Sequence, residues 1–207
     1  MSVALCLAVW LLAAPPQAPV AFALRVAIAT DAKDEPVAPS AWLAQQIAQA
    51  QDLFAPFGVA FVRQDAPPLG PDAEHLETRA DRNALAARVA PHVVNVFIVG
   101  SLRDVDEPAR MRRGVHWHSP TGVHYVIVVA SAPPSVLAHE LGHFFGNAHS
   151  QTPDNVMSYE RTGASVFFDE AQGQRIGARV RAYLGSGELL PIVPSRARIP
   201  ERSEGAD

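Results

Sequence analysis

Thiols are almost absent from this sequence. Cys6 is the only cysteine in 207 residues, so the chain has neither an intramolecular disulfide nor a thiolate metal cluster. Cations are scarce as well: Lys33 is the only lysine among 17 basic residues, set against 21 acidic ones. A net charge of -4 leaves no surplus to neutralise a phosphate backbone, which excludes a basic nucleic-acid binder. No apolar run approaches the roughly 20 residues that a membrane-spanning helix needs. Aromatic residues amount to 7% and charged residues to 18%, but 48% of the chain is hydrophobic. That is the composition of one globular domain able to bury a core, not of a disordered, collagenous or coiled-coil chain.

No side chain before Arg25 is charged. Residues 3–14 form an apolar run, a Pro-rich stretch follows, and Ala21-Phe22-Ala23 completes an A-x-A pattern. About a dozen apolar residues ahead of small ones have the form of a secretory signal peptide cut after Ala23, with only the amino terminus as its positive end. The other reading of the run is a buried N-terminal helix. With residues 1–23 as a leader, the remainder is expected to be secreted or periplasmic, free of cysteine and without stable membrane insertion. It would be held by core packing and metal.

Beyond the leader the patterning is mixed. Residues 24–30 alternate as a strand, and Ser40 is placed to cap a helix whose apolar positions include Trp42, Leu43, Ile47 and Ala50. Residues 58–63 and 93–99 read as strands, and 81–90 as a short helix. Residues 101–114 are polar and read as surface loop. Two further strands, at 115–118 and 124–130, lead into a helix that starts near Pro134 and ends near Gly146. Asp169 and Gln172 form a capping-box pattern for a last helix, and residues 185–207 read as a mobile tail.

The chemistry is concentrated in His139-Glu140-Leu141-Gly142-His143-Phe144-Phe145-Gly146-Asn147-Ala148-His149. Two histidines four apart lie on one helix face with Cβ atoms about 5–6 Å apart, so both imidazoles can reach one zinc ion. Glu140 is rotated away from the ion and set beside it. Gly146 suits a left-handed helix end, after which the chain can double back and bring in His149. Three neutral histidines and one open position make a catalytic zinc site, whereas a structural site is closed by a fourth ligand. A bare H-E-x-x-H arises by chance in about one in a few hundred chains of this size; the fixed glycine and third histidine lower that by roughly two to three orders of magnitude.

These eleven residues match the H-E-x-x-H-x-x-G-x-x-H pattern, and the chain resembles the metzincin clan of zinc metalloproteases. Asn155-Val156-Met157-Ser158-Tyr159 is similar to the clan's Met-turn. Ser150 and the short gap from His149 to the turn resemble matrixins, while Tyr159 is similar to the displaceable zinc ligand of astacins and serralysins. The resemblance implies an α+β fold: an α/β-like upper subdomain (24–149) with a twisted mixed sheet, a backing helix and an active-site helix, then a small, mostly irregular lower subdomain (150–184) ending in a helix. It implies His139, His143 and His149 as zinc ligands, Met157 as an apolar floor beneath them, and Glu140 and Tyr159 as catalytic residues. The implied activity is that of an exported endopeptidase hydrolysing peptide bonds through a zinc-activated water, with Glu140 as general base. A protein or peptide substrate would pair with the edge strand at 115–118, and residues 160–168 would wall the pocket for the side chain after the scissile bond. Phe167 and Phe168 are read as core or pocket floor.

Other clusters receive plainer readings. His116, His118 and His124 do not have the structural-zinc spacing of matrixins and are read as cleft-lining or surface residues, so a second zinc is not supported. Asp104, Asp106 and Glu107 lack the glycine spacing of a calcium loop and are read as solvated charges. A chain cut after Ala23 has no room for a substantial pro-domain and no cysteine for a latency switch. Activity on export, or restraint by a separate inhibitor or by restricted access to the cleft, is then expected. Two alternatives to the endopeptidase stand beside it: a narrow-specificity zinc amidase or processing enzyme, and a zinc-bound interaction module without proteolysis. The intact Glu140 argues against the module.

Overall fold

The computed structural model describes residues 18–192. Cys6, most of the expected leader and the end of the expected tail lie outside the described residues. In chain order the elements are β1 (Val20–Ile28), α1 (Ser40–Phe54), β2 (Val59–Asp65), β3 (His75–Leu76), α2 (Arg79–Ala84), β4 (Val94–Val99), β5 (Ser101–Leu102), β6 (Gly114–His118), β7 (His124–Val129), α3 (Val136–Phe144) and α4 (Glu170–Ser186). Five strands form one sheet in the order β2-β1-β4-β7-β6. Four of them run parallel and β6 is antiparallel at the edge. This is the expected α+β architecture, a mostly parallel twisted sheet backed by helices.

Both faces of the sheet are covered, and for that reason β4 is buried at every position. Its Val94, Val96 and Ile98 join Phe22, Leu24 and Val26 of β1 and Val126 and Val128 of β7 in a core shared with α1, α3 and α4. Phe97 and Val99 point the other way, with Ala27, Tyr125 and Ile127, into a smaller core closed by Leu76, Leu85 and Leu102. Period-two alternation therefore sorts each strand between two apolar layers. In the segment read as plain surface loop, β5 pairs with β3 and Arg103 bridges to Met111.

Strand β1 starts before the expected boundary at Leu24. Val20, Ala21, Phe22 and Ala23 pair with Val59, Ala60, Phe61 and Val62 of β2. Phe22 is fully buried, its ring 6.2 Å from that of Phe145. A cut after Ala23 would fall inside the strand: small residues flanking an aromatic make an A-x-A pattern, and the same alternation turns one large side chain into the core. The chain after α4 is also packed through residue 192. Leu189 is buried, and the Ile192 amide donates to the Ala21 carbonyl at 2.7 Å.

Among the described residues no helix is long and apolar enough to cross a membrane. A chain beginning at Leu24 is expected to be less stable than one beginning at Ala18 by at least about 3 kcal/mol, the cost of emptying the Phe22 site alone. Denaturant unfolding of the two chains measures it, and equal midpoints would show that the first half of β1 contributes nothing.

Candidate metal centre and cleft

Helix α3 carries most of the expected ligands, and its nine residues are fewer than the roughly 12–15 that sustain an isolated helix. Both of its ends are held from outside. Ser135 gives no side-chain cap. Instead, buried Gln46 of α1 accepts the Leu137 amide at 3.1 Å and donates to the carbonyls of Ala132 and Pro133 at 3.0 and 2.8 Å. At the other end Gly146 has φ +88°, open to glycine at little cost. The Gly146 amide donates to the His143 carbonyl and the Asn147 amide to that of Gly142, both at 2.9 Å, the paired bonds of a Schellman motif. From α4, the Tyr183 hydroxyl donates to the Phe144 carbonyl at 2.7 Å.

The structure brings His139, His143 and His149 together, with one ligand nitrogen from each within 4.8 Å of the others. His139 Nδ1 donates to the Val156 carbonyl at 2.7 Å and His143 Nδ1 to the Asn147 carbonyl at 2.8 Å. A carbonyl only accepts, so the proton of each neutral ring sits on Nδ1 and the Nε2 lone pair is free. Burial keeps the rings neutral: it lowers His139 to about 4, and it lowers His143 and His149 as well. His143 Nε2 and His149 Nε2 are 3.1 Å apart, against about 3.3–3.4 Å for two nitrogens on one tetrahedral zinc. The donor set fits zinc.

The segment expected to be the Met-turn is fastened to the last helix. Asn155 and Gln172, both buried, exchange amide hydrogen bonds at 2.8 and 2.9 Å, and Gln172 also completes the capping box with Asp169. The Met157 amide donates to the Asn155 side chain and the Ser150 amide to the Met157 carbonyl, which ties the turn to the chain beside His149. Met157 is fully buried, and its sulfur occupies the space that a Cβ on Gly142 would need. Gly142 is thus one point at which the turn touches α3, beside the His139 bond to the Val156 carbonyl.

Glu140 is buried beside the imidazoles. Desolvation raises its carboxyl to about 8, opposed by the His116 backbone amide and by Arg112. Tyr159 is 71% exposed, yet its hydroxyl lies 2.8 Å from His149 Nε2. Two cavities meet at His139, Glu140 and Tyr159. One, of about 660 Å³, continues to His116, His118 and His124; the other, of about 680 Å³, is lined by Met111, Val136 and Val166 with several arginines. Of the two phenylalanines read as core or pocket floor, Phe168 is buried against Phe54 at 5.1 Å and Phe167 is exposed.

One group is placed differently from the sequence expectation. Asp104 is not a solvated charge: its side chain is only 3% exposed and gathers the amides of Asp106 and Glu107 and the Arg112 guanidinium, the last at 2.5 Å. These donors, the two amides first, hold its carboxyl down at about 2. Arg112 is thereby presented to the cleft, where its charge reaches Glu140, His149 and Tyr159. No motif marked it, because its position depends on a fold-back eight residues long. His116, His118 and His124, read as cleft-lining or surface residues, do line the cleft, where one ring nitrogen from each lies within 4.8 Å of the others.

No family model and no curated protein sequence matches the chain. Among solved structures, 108 chains match. Metalloproteinase-II from Bacteroides fragilis aligns with a TM-score of 0.52 and 14% identity, over 80% of this chain and 55% of that one. A chain from the structure of a chaperone-substrate complex aligns with a TM-score of 0.51 and 9% identity, over 79% of this chain and 34% of that one. The chain therefore spans about half the length of the first and a third of the second. At these identities the likeness is one of fold, and the fold is metalloproteinase-like.

Gly146→Ala is expected to cost about 1–2 kcal/mol, because alanine resists the left-handed region. It should also weaken metal binding by turning the Asn147 carbonyl away from His143. Thermal melts and a metal titration read the two effects, and unchanged metal affinity would uncouple the helix end from the site. The Asp104 carboxyl is lower in the folded protein than in the unfolded chain, so its contribution to stability is complete above about pH 4 and is lost as pH falls toward about 2. The difference in Tm between the protein and Asp104→Asn should be level from about pH 5 to 7 and shrink on acidification; a difference independent of pH would remove the carboxylate from the account.

Proposed function

We propose that this chain is an exported, zinc-dependent endopeptidase of the metzincin type. The observation that carries the reading is the convergence of three neutral imidazoles beside a buried carboxylate in an open cleft. His139, His143 and His149 would hold the ion. Bound there, zinc supplies Lewis acidity, which polarises a peptide carbonyl and lowers the pKa of water from about 15.7 toward 7.

Glu140 acts as general base and then as general acid: it takes a proton from the attacking water and passes it to the leaving amine. Burial makes Glu140 the stronger proton acceptor, and the positive charge of a bound zinc beside it would favour its ionised form at neutral pH. The Tyr159 hydroxyl, close to His149, donates to the oxyanion that develops on the scissile carbonyl. A substrate strand pairs with β6, the sheet edge, and the cavity lined by Met111, Val136 and Val166 receives an apolar side chain. Export rests on the apolar run at 3–14 and the A-x-A pattern that ends at Ala23.

Glu140→Ala is expected to keep the zinc content of the wild type and to lose hydrolysis of a mixed peptide library by about 10²–10⁴-fold. Phenanthroline should stop the wild type, and Tyr159→Phe should lower kcat on the order of 10²-fold with metal retained. Cleavage that survives in Glu140→Ala would sink the assignment. A library left intact by the wild type would move the reading to a narrow-specificity zinc amidase.

A further inference from the structure

We propose that His116, His118 and His124 form a second metal site, which takes a zinc-class divalent ion at the edge-strand end of the cleft. The placement follows from strand geometry. His116 and His118 are two apart on β6 and share one face of the sheet. His118 lies directly opposite His124 of β7 in the antiparallel ladder, so all three rings project from the helix-bearing side. Ring centroids are 4.5 Å apart for His116 and His118, 4.9 Å for His116 and His124, and 5.1 Å for His118 and His124.

The rings are also oriented for a ligand. His124 Nε2 donates to the Glu188 carboxylate at 2.5 Å, which leaves Nδ1 with its lone pair. That Nδ1 accepts a hydrogen bond from His116 Nε2 at 2.6 Å, so an ion bound here would take the place of that proton, with the two nitrogens moving apart to about 3.3–3.4 Å. A carboxylate behind one nitrogen of an imidazole whose other nitrogen points into a cluster is the outer-shell arrangement of histidine metal ligands. Glu188 is held in place for it. The His92 ring bonds the Gly187 carbonyl at 2.7 Å, and Leu189 next to it is buried. His124 stacks on Phe144, with centroids 4.4 Å apart and planes within 19°, so its ring has little freedom to turn away. Three imidazoles with one position left open suit zinc more than magnesium or calcium, which take oxygen ligands.

This site goes beyond the reading of His139, His143 and His149, and zinc counting tests the two separately. Protein stripped with a chelator, reloaded with Zn²⁺ and desalted is weighed by native mass spectrometry. The wild type is expected to carry about two ions, His139→Ala/His143→Ala one, and His118→Ala/His124→Ala one. Glu188→Gln should weaken the ion that survives in His139→Ala/His143→Ala by about 10–100-fold. A wild-type count of one that His139→Ala/His143→Ala abolishes overturns the second site, and it does so even where the His118→Ala/His124→Ala protein fails to fold. A count of one that survives that double substitution, and is lost in His118→Ala/His124→Ala, supports the second site and removes the first reading instead.

Discussion

A neutral imidazole offers a lone pair at whichever nitrogen lacks the proton, and the proton stays where the ring has something to donate to. At His139 and His143 that partner is a backbone carbonyl, Val156 in one case and Asn147 in the other, and most of the lower half of the molecule serves to aim those two carbonyls. The Asn147 carbonyl is aimed by the Schellman turn at Gly146, with Arg175 Nε of α4 on the Asn147 side chain at 2.9 Å. The Val156 carbonyl is aimed by the turn that Asn155 and Gln172 hold. Helix α4 therefore acts on both imidazoles through these carbonyls. Gln172 in its first turn fixes one carbonyl through Asn155, and Arg175 and Tyr183 steady the chain around the other.

The opposite end of α3 is governed by burial. Gln46 lies in an apolar interface, where a lost hydrogen bond costs roughly 1–3 kcal/mol, and it has three backbone partners there. Those bonds set where the helix begins relative to the sheet, and hence how far His139 and Glu140 stand from β6. Glu140 closes that gap, because its carboxylate faces the His116 amide. Ligand helix, general-base candidate and edge strand thus form one connected unit, with α1 behind it.

Local signals were legible in the sequence wherever a residue acts within its own turn or strand. The apolar run of β4, the capping box of Asp169 and Gln172, the glycine ending α3 and the three histidines around it all appear where the patterns put them. Residues that act at a distance carried no such signal. Gln46 caps a helix 91 positions away, Gly142 exists to admit Met157, and Asp104 owes its burial to a loop that folds back on Arg112. The start of β1 was masked differently: Ala21-Phe22-Ala23 fits a processing site as well as a crowded strand, and its pairing with β2 depends on residues some forty positions away.

The two histidine clusters show why one was easier to see. On a helix, ligands four apart face the same way, and H-E-x-x-H states that spacing openly. On a strand the period is two, so His116-Trp117-His118 turns two rings to one face and needs a third from the neighbouring strand, and register alone decides whether His124 meets His118 or a residue on the other face. The hairpin fixes that register by closing Ser119 onto Val123 at 2.9 Å. Phe144 follows His143 on α3 and lies against both His116 and His124, at 5.4 and 4.4 Å between centroids. An apolar ring next to the first histidine cluster thus forms a wall of the second, so each cluster keeps its own nitrogens while both open into the same cleft.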